Sequence, residues 1–234
     1  MSEALVYDNL SAFYGASQIL HGVSMRVEAA KVVCLLGLNG MGKTTTLRAT
    51  MGLVDRIEGS ITLNGTRLEG RTCNRAHRGI TLVPEDRKVF PTLTVRENLQ
   101  VAVRAAPGGG FRLDDILTLF PRLGERLEQK AGTLSGGEQQ MLVVGRALVA
   151  NPSYVMLDEP TEGLSPSYVG AIKEGIDAAR DRGIGVLLVE QSLALALAVG
   201  DHFYIIENGQ IIRSIDRATA VAAPGQLEAM LTVE

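Results

Sequence analysis

The chain has 234 residues, enough to bury a substantial core in one large domain or two small ones. Hydrophobic residues make up 46%, charged residues 21% and the formal net charge is −3, so the basic excess of a nucleic-acid or anionic-lipid binder is missing and no nucleic-acid partner is expected. Two cysteines make no disulfide framework, and the Leu193–Val199 apolar run is too short to cross a bilayer. Met1-Ser-Glu-Ala shows no basic start leading into an apolar segment, so a reducing cytoplasmic setting is expected. Membrane association would then come only through a partner.

Short apolar runs ending in glycine or a carboxylate alternate with helical patterns, which predicts α/β architecture around a parallel sheet. Lys31–Leu36 is a continuous apolar run with β-branched residues, as for a strand covered on both faces; within it Cys34 reads as a buried, inert thiol. Gly37–Gly42 then opens a helix over residues 44–51, stopped at Gly52. Ile61–Leu63 leads into Asn64-Gly65, a hairpin signal that suggests a small antiparallel sheet beside the parallel one. The basic run Arg71–Arg78 reads as a solvated face. Ile80–Val83 reads as a further strand.

Thr94-Val-Arg-Glu97 has the form of a capping box and predicts a helix to about Ala105. Pro107–Gly110 breaks it, and helical spacing resumes over Leu113–Phe120 before Pro121. Ser135 caps another helix that runs to Val149, with Glu138 as its box partner. No strand pattern appears between about residues 92 and 150, so a helical insertion is expected there. Beyond it, Tyr154–Leu157, Gly185–Val189 and Phe203–Ile206 read as strands, and Asn208-Gly209 turns the last into Ile211-Ile212. His21, His77 and His202 form no metal-ligand cluster and read as surface or turn residues.

Three segments carry chemistry. Gly37-Leu38-Asn39-Gly40-Met41-Gly42-Lys43-Thr44 fits the phosphate-loop pattern, in which glycines let backbone amides converge on phosphate oxygens at a helix start. Lys43 would reach the β- and γ-phosphates of ATP, and the Thr44 hydroxyl would ligate Mg2+. Tyr154–Leu157 ends in Asp158-Glu159, placing two acids at a strand's carboxyl end, where ligands of open α/β sheets bind. Asp158 would hold magnesium, and Glu159 would orient and deprotonate the attacking water. Leu134-Ser-Gly-Gly-Glu-Gln-Gln140 is explained as a cap, but capping does not require two glycines, so a second anion-binding helix start is expected at Ser135, Gly136, Gly137 and Glu138.

In this order and spacing the three segments resemble an ABC-type ATPase subunit over nearly the whole chain. The resemblance implies a single domain over residues 1–234. A P-loop, RecA-like core with an N-terminal antiparallel β subdomain would span 1–91 and 150–234, and a helical subdomain 92–149. It also implies head-to-tail pairing with a second ATPase subunit, each ATP lying between the phosphate loop of one and the Ser-Gly-Gly helix of the other. Thr45 would join the loop's nucleotide contacts, and Tyr14 would stack on adenine. Glu85 falls where most members carry a glutamine that touches magnesium, Ser165 where most carry an aspartate, and Gln191 where most carry a histidine on the γ-phosphate.

Val83-Pro-Glu-Asp-Arg87, the run to Asn98, Ser135–Met141 and Val189-Glu-Gln191 together resemble the branch serving branched-chain (hydrophobic) amino acid importers, with urea importers close by. That implies transmembrane permease subunits as partners, a solute-binding protein acting indirectly, and a peripheral place on the cytoplasmic face of the membrane. The permease contact would fall near Glu85–Asn98. A soluble ABC ATPase acting on ribosomes, DNA or iron–sulfur assembly, and a non-hydrolysing nucleotide sensor, are the competing readings.

Overall fold

The computed structural model of the chain describes residues 3–103 and 110–231. Two sheets organise them. β1 (Ala4–Tyr14), β2 (Ser17–Glu28), β4 (Arg56–Leu63) and β5 (Thr66–Arg67) form an antiparallel sheet in the order β2-β1-β4-β5. β3 (Val32–Leu36), β6 (Ile80–Val83), β7 (Tyr154–Asp158), β8 (Gly185–Glu190), β9 (His202–Glu207) and β10 (Gln210–Asp216) form the second, ordered β10-β9-β3-β8-β7-β6. Its pairings are parallel except for the β9–β10 hairpin at the edge.

Every residue of β3, β7 and β8 is buried, which explains why these strands are continuous apolar runs rather than alternating ones. Alternation survives as a choice of face. Val32, Cys34, Leu36, Val186 and Leu188 pack towards one core, while Val33, Leu35, Leu187 and Val189 pack towards the other. The first core is shared with α3 (Val95–Gln100), α4 (Leu113–Leu119), α5 (Pro121–Gly124), α6 (Gly136–Val149), α7 (Pro166–Asp181) and α8 (Leu193–Val199). The second is closed by the antiparallel sheet and α1 (Lys43–Met51). Among the described residues no strand intervenes between Val83 and Tyr154 beyond an isolated Thr94–Lys130 bridge, as the sequence leads one to expect. α9 (Arg217–Ala222) and α10 (Pro224–Leu231) follow the hairpin.

Two expectations need correction. α3 begins with the expected Thr94–Glu97 capping box but stops at Gln100 rather than near Ala105. Val101 is 60% and Val103 51% exposed, so extending the helix would gain no packing; residues 104–109 lie outside the described residues. The run Arg71–Arg78 is also not wholly solvated, since Arg75, in α2 (Thr72–His77), is only 5% exposed. Its Nη1 donates to the Ala49 and Thr50 carbonyls at 2.8 Å each, so a cation sits on the carbonyl end of α1.

Both hairpin signals are realised. Asn208 and Gly209 take positive φ, 46° and 75°, as do Asn64 and Gly65. The 208–209 turn also braces the phosphate loop: Gly209 N–H donates to the Met41 carbonyl at 3.0 Å, and its own carbonyl accepts from His21 N–H at 2.8 Å. A Cβ at Gly209 would lie 2.0 Å from the Ile19 carbonyl oxygen, so only glycine fits between loop and β2.

Candidate functional site: a phosphate cleft at the strand ends

The central strands β3, β8 and β7 end side by side, with Leu36 opposite Glu190 and Asp158 opposite Val189. This register delivers the 37–44 loop, the Asp158-Glu159 pair and Gln191 to one edge. Between them lies a cleft of about 350 Å3 lined by Asn39, Gly40, Gly42, Lys43, Thr44, Thr45, Glu85, Glu159 and Glu162. The helix that starts there, α1, has Gly42 as its N-cap at φ 104°, no side-chain cap and no acid in its first turn. The helix's own first turn therefore supplies no side-chain acceptor or acid to its N-terminal partial positive charge.

The charged groups are interlocked. Lys43 Nζ, with its side chain only 4% exposed, donates to the carbonyls of Gly37 (2.7 Å) and Leu38 (3.0 Å) and pairs with Glu159 Oε1 at 3.2 Å. Thr44 Oγ1 donates to Asp158 Oδ1 at 3.2 Å. Gln191 Nε2 donates to Glu159 Oε2 at 2.7 Å and to Asn39 Oδ1 at 2.8 Å. Glu159 holds φ 44°, a left-handed conformation that costs a non-glycine residue about 1–3 kcal/mol and persists only where the surroundings impose it. The Val189 carbonyl accepts from Glu159 N–H at 2.9 Å and ties this turn to β8.

Burial pushes the Asp158 carboxyl up to about 6; Glu159 and Glu85 add to the rise, while the Thr44 hydrogen bond and Lys43 oppose it. Glu85 is also raised, first by partial desolvation and then by Glu162 beside it. Thr44, Asp158 and Glu85 are all oxygen donors, the first two already in hydrogen-bond contact, and such a set suits a hard divalent cation.

The second glycine-rich segment sits differently. Ser135 caps α6: its Oγ accepts from Glu138 N–H at 3.3 Å, and Glu138 Oε2 accepts from Ser135 N–H at 2.9 Å. Desolvation works against ionised Glu138, but the Ser135 bonds and Arg126, 2.6 Å away, outweigh it and hold the carboxyl below its usual range. A Cβ at Gly137 would lie 2.4 Å from the Tyr168 ring, and one at Gly136 would lie 2.6 Å from Arg87 Nη1. Close packing on the Tyr168 ring thus gives Gly137 a reason besides approach to an anion, whereas the Arg87 tip beside Gly136 can swing aside. Tyr14, the expected adenine platform, stands at the end of β1 outside the phosphate cleft. Ser165 is the N-cap of α7, its Oγ 3.1 Å from that of Ser167.

Sequence reasoning did not find Glu162 in the cleft wall, nor the Arg87 and Tyr168 packing on the glycine pair. It also passed over Glu190, whose one visible signal is a carboxylate closing the apolar run Val186–Val189.

A phosphate loop and a strand-end carboxylate pair in one cleft, with a capped Ser-Gly-Gly helix elsewhere, define an ATP-hydrolysing cassette. The family model described as ABC transporter matches residues 20–162, and the chain belongs to that family as an ATPase. Among relatives, it is 43% identical to the high-affinity branched-chain amino acid transport ATP-binding protein BraG of Pseudomonas aeruginosa, over 97% of this chain and 99% of that protein. It is 35% identical to the lipopolysaccharide export system ATP-binding protein LptB of Haemophilus influenzae, over 89% and 88% of the two chains. A solved ATP-binding subunit of an ABC transporter superposes with a TM-score of 0.83 at 29% identity, covering 98% of each chain.

Proposed function

We propose that this chain pairs with a second ATPase subunit around two ATP molecules and drives import of a small solute, branched-chain or other hydrophobic amino acids foremost, through a membrane permease. The observation that carries the catalytic part is that Lys43, Thr44 and Glu159 line one cleft, with Asp158 hydrogen-bonded to Thr44 and Gln191 to Glu159. In this reading the loop amides of residues 37–45 and Lys43 hold the phosphates. Thr44, Asp158 and Glu85 hold magnesium, which when bound would neutralise phosphate charge. Glu159 accepts the proton of the attacking water, and Gln191 orients the γ-phosphate by donating a hydrogen bond without becoming a cation. Phosphate oxygens compete with Glu159 for Lys43, so ATP binding itself frees the base. Ser135, Gly136, Gly137 and Glu138 serve the partner's nucleotide, and Tyr14 serves the adenine.

The division into a core (1–91 and 150–234) and a helical subdomain (92–149) belongs to this proposal. Within the core a groove of about 620 Å3, lined in part by Leu53, Glu85 and Lys88, shares Thr44 and Glu85 with the phosphate cleft. A neighbouring groove of about 340 Å3 carries Phe90 and Val101, 47% and 60% exposed. Both suit an apolar permease segment with a polar rim. Among the described residues no helix is long and apolar enough to cross a membrane, so contact with the bilayer falls to that partner. The amino acid cargo is supported by the likeness to BraG; the likeness to LptB favours a second reading, an export system.

Co-purification from detergent-solubilised membranes, followed by reconstitution into vesicles with the captured permease and a solute-binding protein, tests the proposal. ATP-driven uptake of leucine, isoleucine or valine supports it. Outward movement of a lipid-linked cargo, or capture of ribosomes instead of a permease, overturns it.

A further inference from the structure

At the centre of the parallel sheet a carboxylate is buried where no ligand reaches it. Glu190 ends β8, is 3% exposed, and lies opposite Leu36, the residue before the phosphate loop. Its Oε1 accepts from the Thr161 hydroxyl at 2.7 Å and the Thr161 N–H at 3.3 Å; its Oε2 accepts from the Ser192 N–H at 3.2 Å. Burial raises its pKa, those three hydrogen bonds oppose the rise, and the Glu159 charge adds to it. Neutral donors alone hold this carboxyl, an arrangement that an apolar side chain of similar size would make cheaper.

The position of the donors gives the residue its use. Thr161 stands two residues after Glu159, and Ser192 stands one residue after Gln191. Each oxygen of the carboxylate therefore grips one of the two loops that meet in the Gln191–Glu159 hydrogen bond. Ser192 also caps α8, accepting from Leu195 N–H at 3.5 Å, so its loop is held from both sides.

We propose that Glu190 is a positioning residue for hydrolysis, a buried two-oxygen clasp that fixes the Glu159 loop against the Gln191 loop. It touches no substrate. This rests on the roles proposed for Glu159 and Gln191, and the test separates the two. Glu190→Gln keeps the shape but offers one acceptor where two are needed. Thr161→Val removes the shortest bond while leaving Glu190 in place.

The measurements are hydrogen exchange by mass spectrometry on the purified chain, and ATP turnover by the assembled complex. In both variants exchange should quicken together in peptides covering 159–162 and 191–193, with α1 unchanged. Turnover at saturating ATP should fall about 10- to 100-fold, the scale of an ångström misplacement of catalytic groups, with KM for ATP within about twofold of wild type. The double variant should be no slower than Glu190→Gln. Quickened exchange in one loop only, additive losses, or turnover and ATP affinity falling together with the melting temperature would overturn the clasp. A Glu159→Gln control that hydrolyses like wild type would instead overturn the base assignment, leaving the exchange result to decide the clasp.

Discussion

The two glycine-rich helix starts of this molecule treat their terminal charge in opposite ways. α1 opens on Gly42 with no side-chain cap, and its amides face a cleft that gathers the ammonium, hydroxyl and carboxylates of the site. α6 opens on Ser135 with a complete capping box and Arg126 holding the box carboxylate. One terminus has no cap from its own side chains, while the other is fully capped. In the proposed pairing, α1 takes this chain's own nucleotide phosphates and α6 faces the nucleotide of the partner.

The sharpest way to break this comparison is Glu159→Gln. A base positioned on water contributes about 10²- to 10⁴-fold, so steady-state phosphate release should fall by that factor while ATP still binds. Wild-type turnover would mean that another group activates water. Next comes Lys43→Ala, which removes a buried ammonium from the phosphates. Charge-assisted bonds of about 1.5–3 kcal/mol correspond to roughly 10- to 100-fold weaker ATP binding by calorimetry.

Acidification should act through Asp158, raised to about 6 by burial. A cation takes the carboxylate form, so Mg2+-dependent ATP binding should weaken as pH falls through about 6, by roughly tenfold near pH 5, and Asp158→Asn should flatten the profile. For the fold without metal the sign reverses. A carboxyl raised above its unfolded value gives stability that is present at low pH and is lost as pH rises through about 6, so the weakened binding would not be acid unfolding. The effect that spares the phosphate cleft belongs to the other terminus. Gly137→Ala forces a methyl into the Tyr168 ring and should cost about 1–3 kcal/mol, a fall of roughly 2–4 °C per kcal/mol in thermal melts, with ATP binding at the phosphate cleft intact.

Much of this was legible in the sequence where one local rule decides the outcome. Strands β3, β7 and β8 read as apolar runs because both their faces are covered, and Asn208-Gly209 read as a turn because few other pairs tolerate its dihedrals. The Lys43 loop was legible from its spacing, and the acid pair from its place at a strand end in a chain that carries that loop. Long-range partners were not. Arg75 looked like one of several surface cations until α1 placed its carbonyl end against it. Glu190 looked like the end of a strand until Thr161, 29 residues away in sequence, supplied its hydroxyl. α3 ended early because exposure, which its capping signal does not encode, decides its last turn.

The most direct test of the account is a crystal structure of the chain with a non-hydrolysable ATP analogue and Mg2+. The triphosphate should lie along residues 39–45 with Lys43 Nζ moved from Glu159 Oε1, now 3.2 Å away, onto phosphate oxygens. A nucleotide bound elsewhere, with the Lys43–Glu159 pair intact, would contradict it.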